Sequence, residues 1–200
     1  MGAKSNSATK RVLAIPPDDP LRKLAVVQPN TDQKTCHIGV VGDTYTILLT
    51  GKETAGRFCL IDMYLPPGGE PPPHRHDFEE TFTLLEGELD FVFRGAEQVV
   101  RAGETINIPA NAPPQFHNSS TRPARMLCIC SPAGQEEFFM EIGVPVATST
   151  TPPPKLEETA QAEFKGEGRC ACSEVSNGAA ATCLNSMFAF FKDADGRVLN

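Results

Sequence analysis

The sequence predicts an all-β fold, an antiparallel sandwich or barrel. Two observations carry this reading. Between Gly42 and about Ser131, short runs rich in β-branched and aromatic residues alternate with turn signals. The 200 residues also include 18 Pro and 16 Gly, so the elements are short and often punctuated.

The elements follow in order. Residues 1–41 read as an N-terminal arm: polar, interrupted by Pro16, Pro17, Pro20 and Pro29, and apolar only over Leu21–Val27. Such an arm needs the main body or a second subunit to order it. Residues 42–143 read as the barrel. Its strands are expected at Thr44–Thr50, Arg57–Leu65, Glu79–Leu85, Glu88–Arg94, Gln98–Arg101, Glu104–Ile108, Gln115–Asn118 and Ala124–Cys130. Gly51, Pro66–Gly69, Glu86-Gly87, Arg94-Gly95, Ala102-Gly103 and Pro109–Pro114 separate them. Gln135–Ile142 reads as a short helix whose Phe138, Phe139 and Ile142 pack back on the strands. Residues 144–200 hold a Thr/Pro linker at Thr148–Pro154, a short amphipathic helix at Lys155–Lys165 (Leu156, Ala160 and Phe164 on one face), and a tail without period.

Composition narrows the function classes. With 40% hydrophobic and 22% charged residues the chain can bury a core. No apolar run approaches the roughly 18 residues of a membrane-spanning helix. A net charge of −7 argues against nucleic acid as a partner. The polar stretch Met1–Arg11 lacks the apolar core of an export signal, which points to the cytoplasm. Seven Cys, an odd number, then read as reduced thiols. Thr46–Leu49 and Met126–Cys130 are apolar on both faces, so a helix, an arm or another subunit should cover the outer one. A homodimer is expected.

The chemistry concentrates in Gly68–Gly87. His74 and His76 are two residues apart and share a strand face, and Glu80 has the same parity. Two imidazoles and a carboxylate with open positions suit Fe(II), and also accept Mn, Co, Ni or Zn. Pro71–Pro73 stiffens the approach. An isolated His-x-His is commonly a surface pair; the surrounding spacing is what raises it above that. Gly68-x5-His74-x-His76-x3-Glu80-x6-Gly87 resembles the first motif of the cupin superfamily at every position. The second motif is matched by Gly103, Pro109 and Asn118, with Asn111 in place of a glycine, a swap that left-handed backbone angles tolerate. Pro114 stands where the family carries its fourth ligand, a His, and proline cannot coordinate. His117 lies three residues further on, with the opposite parity unless a bulge resets it, and is read as an outward or supporting His. His37 is read as an arm residue.

The resemblance spans about Gly42–Gly143. It implies a single cupin barrel, a double-stranded β-helix or jelly roll, with an N-terminal arm and short C-terminal helices. The strings Gly42–Thr46, Pro71–Glu80, Asn107–Pro113 and Arg122–Phe139 are similar to small single-domain bacterial cupins of the quercetin 2,3-dioxygenase-like kind. That likeness implies one divalent transition metal (Fe, Mn, Ni, Co or Zn). His74 and His76 would hold it as neutral imidazoles, and Glu80 would serve as the anionic ligand and as the base for a phenolic proton. The implied activity is a dioxygenase acting on a small phenolic or enolic compound. A non-catalytic ligand-binding cupin with a degenerate site, and a metal-dependent isomerase or lyase, are the alternatives. Phe82, Phe91, Phe93 and Phe116 line strands as ordinary core or as an aromatic wall. Cys128 and Cys130 read as small core residues, and Cys170, Cys172 and Cys183 lack a fourth ligand for zinc.

Overall fold

The computed structural model describes residues 17–32, 34–71 and 76–153. Its elements are β1 (Cys36–Val40), β2 (Asp43–Leu49), α1 (Gly51–Thr54), β3 (Cys59–Leu65), β4 (Glu79–Glu86), β5 (Glu88–Phe93), β6 (Ala96–Arg101), β7 (Thr105–Ile108), β8 (Pro114–His117), β9 (Ala124–Ser131), α2 (Gln135–Ile142) and β10 (Val144–Pro145). One sheet runs β10-β1-β2-β3-β9-β4-β7, and the other β6-β5-β8. All eight strands expected from the sequence appear within two residues of their expected ends. The alternation that suggested them is the alternation that buries one face. In β4, Glu80, Phe82 and Leu84 point inward; in β9, Ala124, Met126, Cys128 and Cys130 do.

The centre of the large sheet is the β3–β9–β4 ladder. Cys59 pairs with Cys130, Ile61 with Cys128 and Met63 with Met126; on the other side of β9, Glu80 faces Cys130 and Phe82 faces Cys128. This register sets the site, because it places one carboxylate beside two thiols.

Three features depart from the sequence reading. The sheet runs past the stretch read as barrel at both ends: it begins at Cys36, inside the arm, so that His37 is a strand residue, and it takes in β10 from the stretch read as linker. Gly39 weakens the β signal of that strand, but a Cβ there would collide with Pro153. Residues 146–153 lie over the outer face of β1 and β2, where the Thr44 hydroxyl donates to the Thr151 carbonyl at 2.7 Å. The cover expected over β2 is thus the chain's own segment. The second departure is α1, opened by a capping box in which the Thr50 hydroxyl caps the first turn and Glu53 returns to the Thr50 amide. The third concerns cysteine. Cys36 is disulfide-bonded, against the expectation of reduced thiols throughout, since an odd total leaves room for a pair. Cys59, Cys128 and Cys130 are free and buried.

The helix α2 forms where expected and packs Phe139 against Tyr45, with ring centroids 4.9 Å apart. Buried Glu136 staples its start to α1, accepting from Gly51 N at 2.6 Å and Gly134 N at 2.7 Å. Among the described residues no helix is long and apolar enough to cross a membrane. The helix expected at Lys155–Lys165 and the cysteines Cys170, Cys172 and Cys183 lie outside the described residues.

Candidate metal centre

Glu80 is the second residue of β4, on its inward face, and its carboxylate is buried in the barrel. His76, four residues earlier, is also buried and brings Nε2 to 3.2 Å from Glu80 Oε2. Two neighbours hold the imidazole in place. Its ring stacks on Phe78 at 4.2 Å and 11°, and its backbone carbonyl accepts the Asn111 amide at 2.6 Å. Asn111 has φ 64, the left-handed angle expected of a residue in a glycine's place. On the outer face, Glu79 braces the same loop by accepting from Asn107 Nδ2 at 2.8 Å and Ala110 N at 3.2 Å.

The other carboxylate oxygen meets sulfur. Cys128 donates to Glu80 Oε1 at 3.4 Å, Cys130 stands 4.0 Å from the same oxygen, and the two sulfurs are 3.5 Å apart. Burial pushes the Cys128 thiol up to about 12, and the hydrogen bond with Cys128 raises Cys130 as well. The Glu80 carboxylate and the Cys128 and Cys130 thiols, all buried and with ligand atoms within 4.8 Å of one another, fit a divalent transition cation, and the His76 imidazole stands on the carboxylate's other oxygen. His74 lies outside the described residues.

Residues 61–130 match the family model of the cupin domain. The barrel is a cupin. Two curated relatives are similar to it: a protein named endoribonuclease YbeY from Myxococcus xanthus, 29% identical over 96 residues, and quercetin 2,3-dioxygenase from Bacillus subtilis, 28% identical over 102 residues. The alignments take in 48% and 50% of this chain and 30% of each relative, so the chain spans under a third of their length. Among solved structures, the polyketide cyclase RemF from Streptomyces resistomycificus is 29% identical at a TM-score of 0.47, covering 55% of this chain and 80% of that one. An RmlC-like cupin from Shewanella frigidimarina is 16% identical at a TM-score of 0.45, covering 56% and 96%.

The other residues singled out in the sequence fall into place on this cupin. Pro114 and Phe116 face inward on β8 and His117 faces the opposite way, opposite Asp90 on β5, so no bulge turns it towards Glu80. His37 sits on β1 with Nδ1 2.8 Å from the Thr46 hydroxyl, and burial lowers its imidazole below the ordinary value. Phe82, Phe91 and Phe116 pack on one another with centroids 5.3–6.0 Å apart, as core does, while Phe93 is only partly buried under the Arg94 guanidinium.

The sequence reading gave no role to a second acidic group. Asp43, at the start of β2, is fully buried and receives the Tyr45 hydroxyl at 3.5 Å. A Cβ at Gly69 would stand 2.5 Å from Asp43 Oδ1, so glycine lets this loop close over the carboxyl. Burial raises Asp43 from 3.8 to about 7, the Tyr45 hydrogen bond pulling the other way. The folded state therefore holds a proton that the unfolded chain has released, and this contribution to stability is lost as pH rises through about 7. Asp43→Asn should match the wild type near pH 4 and exceed it at about pH 8, by on the order of 4 kcal/mol at most. Urea unfolding at both pH values measures this; a variant less stable at the higher pH would show that Asp43 is ionised and satisfied in the fold.

Proposed function

We propose that this cupin is a metal-dependent, dioxygenase-type oxidoreductase acting on a small phenolic or enolic compound in the cytoplasm. The observation that carries it is the Glu80 carboxylate, buried between His76 on one oxygen and two thiols on the other. The similarity to quercetin 2,3-dioxygenase over half of this chain supports the same reading. His76 and Glu80 would hold the metal, with His74 joining them by the motif. A bound divalent transition metal would supply Lewis acidity and one-electron chemistry with dioxygen. Glu80 is the catalytic group: its carboxylate takes the phenolic proton, so the substrate binds as the more electron-rich anion. Phe78 stacks on the His76 ring, and the burial of Glu80 strengthens each charge interaction there.

The test is metal content after mild purification, followed by oxygen uptake with a flavonol on protein reloaded with Fe, Mn, Co or Ni. Oxygen uptake dependent on the metal is expected. Protein that takes up no metal, or loaded protein that consumes no oxygen with any phenolic or enolic compound, would overturn the reading. One observation favours a second reading, a non-catalytic ligand-binding cupin: inward-facing Pro114 supplies no ligand. Dividing the roughly 10–16 kcal/mol of a four-ligand zinc site evenly, the missing ligand is worth about 3 kcal/mol, on the order of a hundredfold in affinity. Flavonol binding without oxygen consumption by protein exposed to each of these metals would select that reading.

The homodimer is proposed as well. Leu21, Leu24 and Val26 are 87%, 91% and 69% exposed on a segment tied to α1 by the Arg22 guanidinium, which donates to the Glu53 carbonyl at 2.6 Å. An apolar strip this open is suited to a second copy. Sedimentation equilibrium at micromolar concentration should give a dimer that Leu21→Asp with Leu24→Asp disperses; a wild-type monomer would end the proposal.

A further inference from the structure

We propose that Cys128 and Cys130 are metal ligands, so that with Glu80 they make a thiolate site in place of the all-histidine-and-carboxylate set the motif spacing suggests. The inference rests on the metal-binding reading above and names the cation class that site would take.

The distances carry the argument. Metal–sulfur bonds near 2.3 Å and metal–oxygen bonds near 2.0–2.2 Å at a tetrahedral angle put two thiolate sulfurs about 3.8 Å apart and each about 3.6 Å from a carboxylate oxygen. The observed separations are 3.5 Å between the sulfurs, and 3.4 and 4.0 Å from them to Glu80 Oε1. The three atoms already stand at the corners a tetrahedral ion would need, within a few tenths of an ångström. Strand geometry explains why they hold there. Cys128 and Cys130 are two apart on β9 and share its inward face; Glu80 enters from the adjacent strand, directly opposite Cys130. No loop has to move to assemble the trio. His76 lies against the other carboxylate oxygen and fixes the carboxylate's orientation.

The fold supplies a reason for sulfur at this place. The inward position on β8 that carries a His elsewhere in the family is Pro114, on the smaller sheet. The deficit is made up from β9 instead. Glu80, Cys128 and Cys130 fill three positions of a tetrahedral ion, and the fourth falls to His76 or, with His76 kept on the carboxylate, to water or substrate. Thiolates favour zinc(II), cobalt(II) and iron(II) over manganese(II), which prefers oxygen. Each thiol gives up its proton as its sulfur bonds the ion, so a divalent cation releases about two protons on entering. Cys59, across from Cys130 on β3, is a buried thiol outside the trio and serves as a control.

Reduced, metal-free full-length protein is titrated with cobalt(II), and the near-ultraviolet sulfur-to-cobalt charge-transfer band is read. The band should saturate with the bound cobalt, weaken on the order of a hundredfold in affinity in Cys128→Ser or Cys130→Ser, and persist in Cys59→Ser. Because the serine variants could fail to fold, the wild type is also titrated with zinc(II) in weak buffer and the protons counted; about two per ion are expected. Cobalt that binds without the band, or zinc that binds without proton release, overturns the thiolate site and leaves the metal-binding reading intact. Cobalt and zinc that do not bind at all overturn both.

Discussion

Glu80→Gln should weaken the metal binding proposed for this cupin and leave the barrel standing. The carboxylate is central to every described donor: His76 Nε2 lies 3.2 Å from one oxygen and the Cys128 sulfur 3.4 Å from the other. An amide keeps the shape but removes the charge a dication needs, and turns an NH2 towards one side of the pair. One ligand of a site of this kind is worth about 3 kcal/mol, so affinity should fall on the order of a hundredfold. Folding should not suffer, because a buried carboxylate is costly to keep and its neutral isostere is not. Equilibrium dialysis with cobalt(II) and a thermal unfolding curve check both halves. Affinity equal to wild type would remove Glu80 from the metal, and with it the proposed catalytic base.

The largest loss of stability is expected at Asn118, one of the residues that matched the second motif. Its side chain is fully buried between β8 and β9. Nδ2 donates to the carbonyls of Leu65 at 3.0 Å, Pro66 at 3.2 Å and Arg122 at 2.9 Å, while Oδ1 accepts from Ser120 N and Oγ at 3.1 and 2.7 Å. Its backbone also exchanges bonds with the loop that leads to the histidines: Gly68 N donates to Asn118 O, and Asn118 N donates to Gly69 O, both at 2.9 Å. Asn118→Ala strips the buried carbonyls of their donor, and each unsatisfied group costs about 1–3 kcal/mol. A loss of about 4 kcal/mol in urea unfolding is expected, at the upper end for single substitutions. A loss below about 1 kcal/mol would mean that water enters and replaces the amide.

The eight barrel strands were legible in the sequence, because each carries its own alternation and its own turn. Asn111 was, because left-handed backbone demands few residue types and asparagine is one. The outward turn of His117 followed from strand parity alone. β1 was not legible: its Gly39 looks like a break and makes sense only once Pro153, 114 residues later, packs on it. α1 escaped notice although Thr50 and Glu53 stand at capping-box spacing, because the strand before it runs up to the cap. Asp43 escaped because nothing local distinguishes a buried aspartate from one that opens a turn.

The sequence by itself determined that this chain forms a β barrel with an acidic side chain and histidines gathered at one segment, since periods of two and motif spacings are properties of neighbours along the chain. Only the tertiary structure decided which groups meet Glu80. The cysteines of β9 stand 48 and 50 residues from it, and their approach depends on strand order and register, which no local pattern encodes. A shift of one residue in that pairing would turn the Cys128 and Cys130 side chains to the outside of the sheet and leave the carboxylate with His76 alone.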